Sequence, residues 1–283
     1  MLGRTRSVSL VTGGSGLVGS RLVRRLLSDG QKVRVLDTRY GELSKMKAHH
    51  GVEFSGIDGN ELRGGMADRR TVEDATKAVD VIYHLAINWD GCTWRHRLPL
   101  PDLFGANIRG TLNLLEAARS HKVKHFLFSS SSAVYGDTQR TISLRGRPLS
   151  EKAADEEAPC RPELWDGDPG PAYAIMKLAL ERLCLMYHHQ YGLPVTVFRI
   201  EYVFVDQEQV DDGANIHADD VVQAFLLATL NPKAYGQVFN VAYPAPHIST
   251  RKIEKTLGWK PLRTRRFLRG VGRDEPSSPA LSP

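Results

Sequence analysis

Two hydrophobic periods alternate along this chain, and their alternation constrains the fold more than any other feature. The runs SVSLVT, KVRVLD, VDVIYHLA, KHFLFSS and PVTVFRI are short and rich in β-branched or aromatic residues, whereas GLVGSRLVRRLLSDG, ANIRGTLNLLEAARS and YAIMKLALERLCLMYHHQYG repeat their apolar residues at helical spacing. Several of the short runs are almost wholly apolar, so both of their faces must be covered. Strands alternating with helices reach that state as a parallel sheet wrapped by helices. The expectation is a doubly wound parallel α/β fold, and 283 residues with 41% hydrophobic content suffice for a sizeable core.

Charge and cysteine content exclude more than they suggest. The net charge of +6 resides in residues 251–283, which hold nine Lys/Arg against three Asp/Glu and leave 29 against 29 in the first 250 residues. No aromatic interleaving accompanies this basic end, so a solvated face is the plainer reading and neither nucleic acid nor a membrane surface is expected as a partner. Cys92, Cys160 and Cys184 are an odd number without metal-ligand spacing, which argues against a disulfide framework and a zinc site. The pairs His49/His50 and His188/His189 place neighbouring side chains on different sides of an element, so no metal is expected. No window reaches the length of a membrane span, and the N-terminal apolar run ends in glycines, unlike a secretory signal; a cytoplasmic location is the expectation.

Two segments interrupt the rhythm. Residues 136–171, GDTQRTISLRGRPLSEKAADEEAPCRPELWDGDPGP, are polar, Pro- and Gly-rich and long for a plain connection, and read equally as a lid or as a solvated insertion. The end, RDEPSSPALSP, has the composition of a disordered tail.

The stretch VTGGSGLVGS follows the first strand and opens the first helix, with Gly13, Gly16 and Gly19 three apart. A tight turn needs positive φ, a diphosphate needs close approach of the backbone, and the helix must pack hard on the sheet; glycine meets each need, and the helix N-terminus offers free N–H groups to an anion. Asp37 closes the second strand at the distance past the loop where such folds place an acid, and there a carboxylate accepts from ribose hydroxyls and repels a 2′-phosphate. NAD is the expected cofactor. Arg39, just beyond, keeps NADP possible.

Further along, FLFSSSSAVYG ends a strand, and PAYAIMK places Tyr173 and Lys177 at i and i+4 on one helix face. A free phenol titrates near about 10. An adjacent ammonium and an oxidised nicotinamide both favour the phenolate, so Tyr173 can take a proton from a substrate hydroxyl as hydride leaves the same carbon while a serine holds the oxygen.

Together the glycine loop, the acid after the second strand, the serine run and Tyr-x-x-x-Lys resemble, in order, the extended short-chain dehydrogenase/reductase family, in particular its NAD-dependent nucleotide-sugar epimerase/dehydratase branch. The resemblance runs from about Ser7 to Trp259 and takes in HLA (84–86), NIRGTLNLLEAA (107–118), IHADDVVQA (216–224) and LGWKP (257–261). It implies a Rossmann fold with a small, shortened C-terminal substrate lobe: residues 1–268 as the dinucleotide-binding domain, with lobe segments interleaved at about 137–172, 200–217 and 243–268, and 269–283 as a disordered tail. By position it implies Gly13, Ser15, Gly16, Leu17, Val18 and Gly19 at the pyrophosphate, Asp37 and Thr38 at the ribose, and Leu85 and Ala86 beside the cofactor. Asn107 falls near the cofactor site, and a helix-packing role is equally open to it. Ser131, in the serine run just ahead of Gly136, is the implied catalytic serine beside Tyr173 and Lys177, with Ser129 and Ser130 near the cofactor and Ser132 and Tyr202 toward the substrate.

The departures matter as much. Dehydratases of the branch have Thr-Asp-Glu where this chain has Ser131, Ser132 and Ala133, and the related decarboxylases keep the glutamate, so elimination and decarboxylation are disfavoured. The family's Gly-Asp-x-x-Asp adenine contact meets only Gly65 of GGMAD, Tyr202 stands where an asparagine is common, and the connection from Tyr202 to His217 is much shorter than the family's usual lobe. Three readings follow: a nucleotide-sugar 4-epimerase or dehydrogenase, with Arg251, Arg263, Arg265 and Arg266 near the diphosphate; a reductase of a small or apolar carbonyl compound; and a non-catalytic cofactor-binding protein. The resemblance also implies a homodimer through the helices beginning near Asp102 and Tyr173, although Leu112, Leu115, Ala118, Leu180, Leu183, Cys184 and Tyr187 suit packing on their own sheet equally well.

Overall fold

The computed structural model describes residues 7–46, 49–55, 57–58, 61–62, 65–88, 99–136, 153–164, 170–205, 216–243, 245 and 247–263. Seven parallel strands form one sheet: β1 (Val8–Thr12), β2 (Lys32–Leu36), β3 (Val52–Ser55), β4 (Val81–His84), β5 (His125–Ser131), β6 (Val195–Ile200) and β7 (Gln237–Val241). Their spatial order is β7-β6-β5-β4-β1-β2-β3. The order reverses between β1 and β4, which is the topological switch point where such sheets bind ligands at the carboxyl ends of their strands.

Among the described residues six α-helices flank the sheet, the first five between its strands and the sixth after the last: α1 (Leu17–Ser28), α2 (Arg69–Thr76), α3 (Leu100–Ser120), α4 (Pro171–Tyr191), α5 (Ala218–Ala228) and α6 (Arg251–Leu257). Because side chains alternate along a strand, the sheet carries two cores. On one face Leu10, Ile82, Phe126, Phe128, Val195 and Val197 meet residues of α2, α3 and α4. On the other, Val11, Val35, Leu127, Phe198 and Val241 meet residues of α1, α5 and α6. Each fully buried aliphatic or aromatic side chain contributes about 1.5–3 kcal/mol relative to exposure.

Of the residues weighed for a dimer face, Leu115, Ala118, Leu180, Cys184 and Tyr187 are buried in the chain's own first core, and Leu112 and Leu183 pack partly against it. The Tyr187 hydroxyl donates to Glu116, tying α4 to α3. The apolar pattern of these helices is therefore explained within one chain.

Sequence-local signals set the helix ends. Asp68 caps α2, its carboxylate accepting from the Arg70 N–H at 3.1 Å, and α4 begins with Pro171 and stops at Gly192, whose φ of +69° is the left-handed conformation that glycine adopts freely. The last described turn is anchored by buried Asp220 of α5. Its carboxylate accepts from the N–H groups of Leu262 at 2.7 Å and Arg263 at 3.2 Å, and its carbonyl accepts from the indole of fully buried Trp259. Arg263 also pairs with Asp219 at 3.2 Å. Among the described residues no helix is long and apolar enough to cross a membrane, and no group of three or more His, Cys, Asp or Glu is placed to hold a metal ion. The tail 269–283, residues 137–152 and 165–169 of the polar insertion, and Cys92, Arg265 and Arg266 lie outside the described residues.

Candidate active site

The glycine loop is shaped by what its residues lack. Gly13 takes φ +67°, and a Cβ there would lie 2.7 Å from the backbone nitrogen of Ala86 at the end of the neighbouring strand. A Cβ on Gly19 would lie 2.2 Å from the Gly13 carbonyl oxygen, so α1 reaches this close approach to the loop only because that position is bare. Gly16 begins α1 with no side-chain cap, which leaves the helix N-terminus open toward an anion. The Ser15 hydroxyl is buried in the same loop without a hydrogen-bond partner among the described residues.

Asp37 follows β2 directly. Its carboxylate accepts from the Ser15 N–H at 2.9 Å and from the Thr38 N–H at 2.7 Å, so it stands against the loop. A cleft of about 640 Å³ opens here. Gly13, Gly16, Leu17, Asp37, Thr38, Leu85, Ala86 and Asn107 of the expected cofactor set line it, together with Arg39. Gly65 lines it also, in the position where the related pattern has an aspartate, with Met66 beside it. Ser15, Val18 and Gly19 are not among its lining residues. Asn107 borders the cleft and also has a packing role: its side-chain oxygen accepts from the Asn88 N–H at 2.8 Å, and its amide donates to the Leu103 carbonyl at 2.9 Å.

At the floor of the cleft lies His84, whose role the sequence reading left unassigned. The Thr111 hydroxyl donates to the Asn107 carbonyl at 2.9 Å, so it accepts from His84 Nε2 at 3.0 Å. The Thr12 hydroxyl accepts from the Ala86 N–H at 3.2 Å and donates to His84 Nδ1 at 2.7 Å. These partners assign the Nε2–H tautomer. Burial, reinforced by the positive charge of Lys177, lowers the His84 pKa to about 3, so the ring is neutral at physiological pH.

His84 connects the cleft to the expected catalytic residues. Its ring contacts that of Phe128, with centroids 5.4 Å apart, and the Lys177 ammonium lies 5.3 Å from the Phe128 centroid and 5.7 Å from that of Tyr173. Lys177 donates to the Ser129 carbonyl at 2.7 Å, which fixes α4 against the end of β5. Tyr173, in the first turn of α4, is 7% exposed and Lys177 is 3% exposed, so they are not a solvated helix pair. Ser131 caps the short 3₁₀ turn Ser132–Tyr135, its oxygen accepting from the Ala133 N–H at 3.2 Å. Tyr202 is 61% exposed.

Ser130 points elsewhere, into a buried polar network. Its hydroxyl donates to Glu181 at 3.1 Å, and Glu181 forms a two-point pair with Arg199 at 2.6 and 3.1 Å. Arg199 also donates to the Tyr135 hydroxyl at 2.8 Å, and Tyr135 donates to Asn240 at 2.7 Å. Burial opposes the guanidinium charge, but the Glu181 carboxylate more than offsets it and holds the Arg199 pKa above its ordinary value. Burial raises the pKa of Tyr135, keeping it a neutral donor. The sequence carried two signals for this network. Glu181 continues the i, i+4 stripe from Tyr173 and Lys177, and Arg199 is the one charge inside an otherwise uncharged, largely apolar strand.

A model described as the NAD dependent epimerase/dehydratase family matches residues 9–214. An uncharacterised UDP-glucose epimerase of Bacillus subtilis (strain 168) is 30% identical over 212 residues, covering 71% of this chain and 58% of that protein. The chain spans about half the length of the curated relatives it matches. A short-chain dehydrogenase/reductase superfamily protein of Agrobacterium tumefaciens, solved with bound NAD, has the same fold, with a TM-score of 0.73 at 21% identity over 92% of this chain and 94% of that one. A mutated uronate dehydrogenase matches with a TM-score of 0.71 at 28% identity, over 96% of this chain and 89% of that one.

Proposed function

The chain belongs to the NAD-dependent epimerase/dehydratase family, and from that premise we propose that it is an NAD-dependent oxidoreductase of the extended short-chain type, transferring hydride reversibly at a hydroxyl-bearing carbon of a nucleotide sugar, as a 4-epimerase does. The observation that carries the reading is the buried pair Tyr173–Lys177, fixed to the end of β5 through Ser129 and in ring contact with the floor of the cleft through Phe128 and His84.

The loop suits a dinucleotide. The bare positions at Gly13 and Gly19, the uncapped start of α1 and the unpartnered Ser15 hydroxyl form a cradle for a diphosphate, and Asp37 with Thr38 borders the place of a ribose. NAD bound there supplies a two-electron hydride acceptor. Every other part of the step belongs to the protein. Lys177 holds a positive charge beside the Tyr173 ring and favours its ionised form, so Tyr173 takes the proton of the substrate hydroxyl. Ser131 already accepts from Ala133, which leaves its own O–H to donate to the substrate oxygen as a carbonyl forms. Neutral His84 keeps a second positive charge away from the site.

A second reading is an oxidoreductase of a small carbonyl or sugar compound without a nucleotide. The short connection between Tyr202 and His217 and the likeness to a uronate dehydrogenase over 96% of the chain favour it. In either case a homodimer and a cytoplasmic location are expectations of the family, not requirements of the site.

Conversion of UDP-glucose or UDP-glucuronate to its 4-epimer tests the first reading by product analysis, because the hydride returns to the sugar and no reduced cofactor accumulates; net cofactor reduction with D-galactose and D-galacturonate tests the second. Tyr173→Phe is expected to lower kcat by about 10²–10⁴-fold while leaving NAD affinity intact. Turnover equal to the parent chain would refute the assigned base, and activity confined to the nucleotide-free sugars would select the second reading.

A further inference from the structure

Glu201 stands directly after β6, at the carboxyl edge of the sheet. Ser131 on β5 is in register with Ile200 on β6, so the next residues along, Ser132 and Glu201, are neighbours across that edge. The Glu201 N–H donates to the Val241 carbonyl at 3.1 Å, which continues the β6–β7 ladder one residue past the strand. Side-chain alternation therefore still applies. Val195 and Val197 face the α3/α4 core, and Arg199 reaches Glu181 on α4, so Glu201 falls on the side of the sheet that also carries Tyr173. Its carboxylate accepts from the Ser132 hydroxyl and the Tyr202 N–H.

No cation is paired with Glu201 among the described residues. The charged and titratable groups of the bordering elements are engaged in other contacts: Lys177 donates to Ser129, Arg199 pairs with Glu181, Tyr135 donates to Asn240, Tyr173 lies beside Lys177, and β7 contributes no ionisable side chain. A half-buried carboxyl with two neutral donors and no counter-charge is costly to ionise, which makes its place at this edge of the sheet informative.

We propose that Glu201 is a specificity-determining residue of this site, accepting a hydrogen bond from a substrate hydroxyl beside Ser132 and selecting an uncharged, hydroxylated group there over a carboxylate or phosphate. This deepens the oxidoreductase reading and rests on it. A substrate hydroxyl supplies the third donor that the carboxyl lacks, whereas a substrate carboxylate would place two negative charges within a few ångströms. Burial raises the Glu201 pKa to about 7, against the Ser132 and Tyr202 hydrogen bonds that lower it, so the discrimination should strengthen as pH rises through neutrality.

The test uses two matched pairs, UDP-glucose with UDP-glucuronate and D-galactose with D-galacturonate, assayed by turnover with NAD and by calorimetric affinity for the NADH-loaded protein. The parent chain is expected to favour the neutral member of at least one pair by about 10-fold or more near pH 8. Glu201→Gln keeps the shape, removes the charge, and should shift that ratio toward the acid by about 10-fold. An unchanged ratio, or a parent chain that prefers the acid, overturns the proposal while leaving the oxidoreductase reading in place. Neither turnover nor binding of any of the four would defeat both. Thermal unfolding supplies a readout independent of substrate. Because the folded carboxyl holds its proton to a higher pH than the unfolded one, ionisation destabilises the fold as pH rises from about 4 to 7; Glu201→Gln should therefore raise Tm near pH 8 and not near pH 4, and no gain at pH 8 would also overturn the proposal.

Discussion

The two ends of the candidate site are built from opposite materials. Around β1 and α1 the site consists of missing side chains, with Gly13 and Gly19 letting backbone meet backbone at distances that no Cβ allows. Around β5, β6 and α4 it consists of buried charge: Glu181 and Arg199 are 0% and 2% exposed and tie Ser130 and Tyr135 into one network. The first construction tolerates no added atoms. The second tolerates no removed partner. A surface that receives an anion needs space and N–H groups, whereas a surface that moves protons needs groups whose ionisation is fixed by their neighbours.

The largest expected effect probes the charged end. Arg199→Met leaves Glu181 as an unpaired buried carboxylate and should cost about 3–5 kcal/mol in chemical denaturation. Pairing it with Glu181→Leu should recover most of that loss, and failure to recover would mean that the network is not one electrostatic unit. At the glycine end, Gly19→Ala forces a shift of backbone against backbone, with an expected cost of about 1–3 kcal/mol and a loss of NAD affinity measurable by calorimetry. Equal NAD affinity would break the contrast, because the bare position would then serve packing alone.

A smaller effect separates the cleft floor from both ends. His84 and His125 are buried and neutral, burial lowering each pKa to about 3. The unfolded chain takes up these protons near pH 6.5 and the folded chain does not, so their contribution is fully present above about 6.5 and is lost as pH falls toward 3. Stability at pH 5 should be lower than at pH 7 by roughly 1–2 kcal/mol for each histidine. Replacing His84 by glutamine, which can keep hydrogen bonds to Thr12 and Thr111, should flatten its share of that slope.

Legibility in the sequence follows the same division. The glycine loop and Asp37 lie in two short stretches whose geometry is local, so the spacing of three glycines and one acid sufficed to place them, whereas Leu85, Ala86 and Asn107 come from distant stretches that only the family resemblance pointed to. Tyr173 and Lys177 were legible as a pair for the same reason, one helical turn apart. The partners of Ser130 and Arg199 were not, because Ser130 meets Glu181 across 51 positions and Arg199 meets Tyr135 across 64. Ser130, placed beside the cofactor by motif position, instead turns its hydroxyl into that network.

Glu201 shows the limit most sharply. Position by position, the run Ser131, Ser132 and Ala133 lacks a carboxylate, and that much the sequence determined. Parallel pairing of β5 with β6 then brings a carboxyl from the far side of α4 in the chain to the Ser132 hydroxyl, which no reading of the serine run alone reveals. Period and glycine spacing determine a parallel sheet and a dinucleotide-shaped loop, because those depend on backbone geometry within a few residues. Which ionisable groups share a dielectric environment, and hence which carry protons at neutral pH, is decided only when distant strands are set side by side.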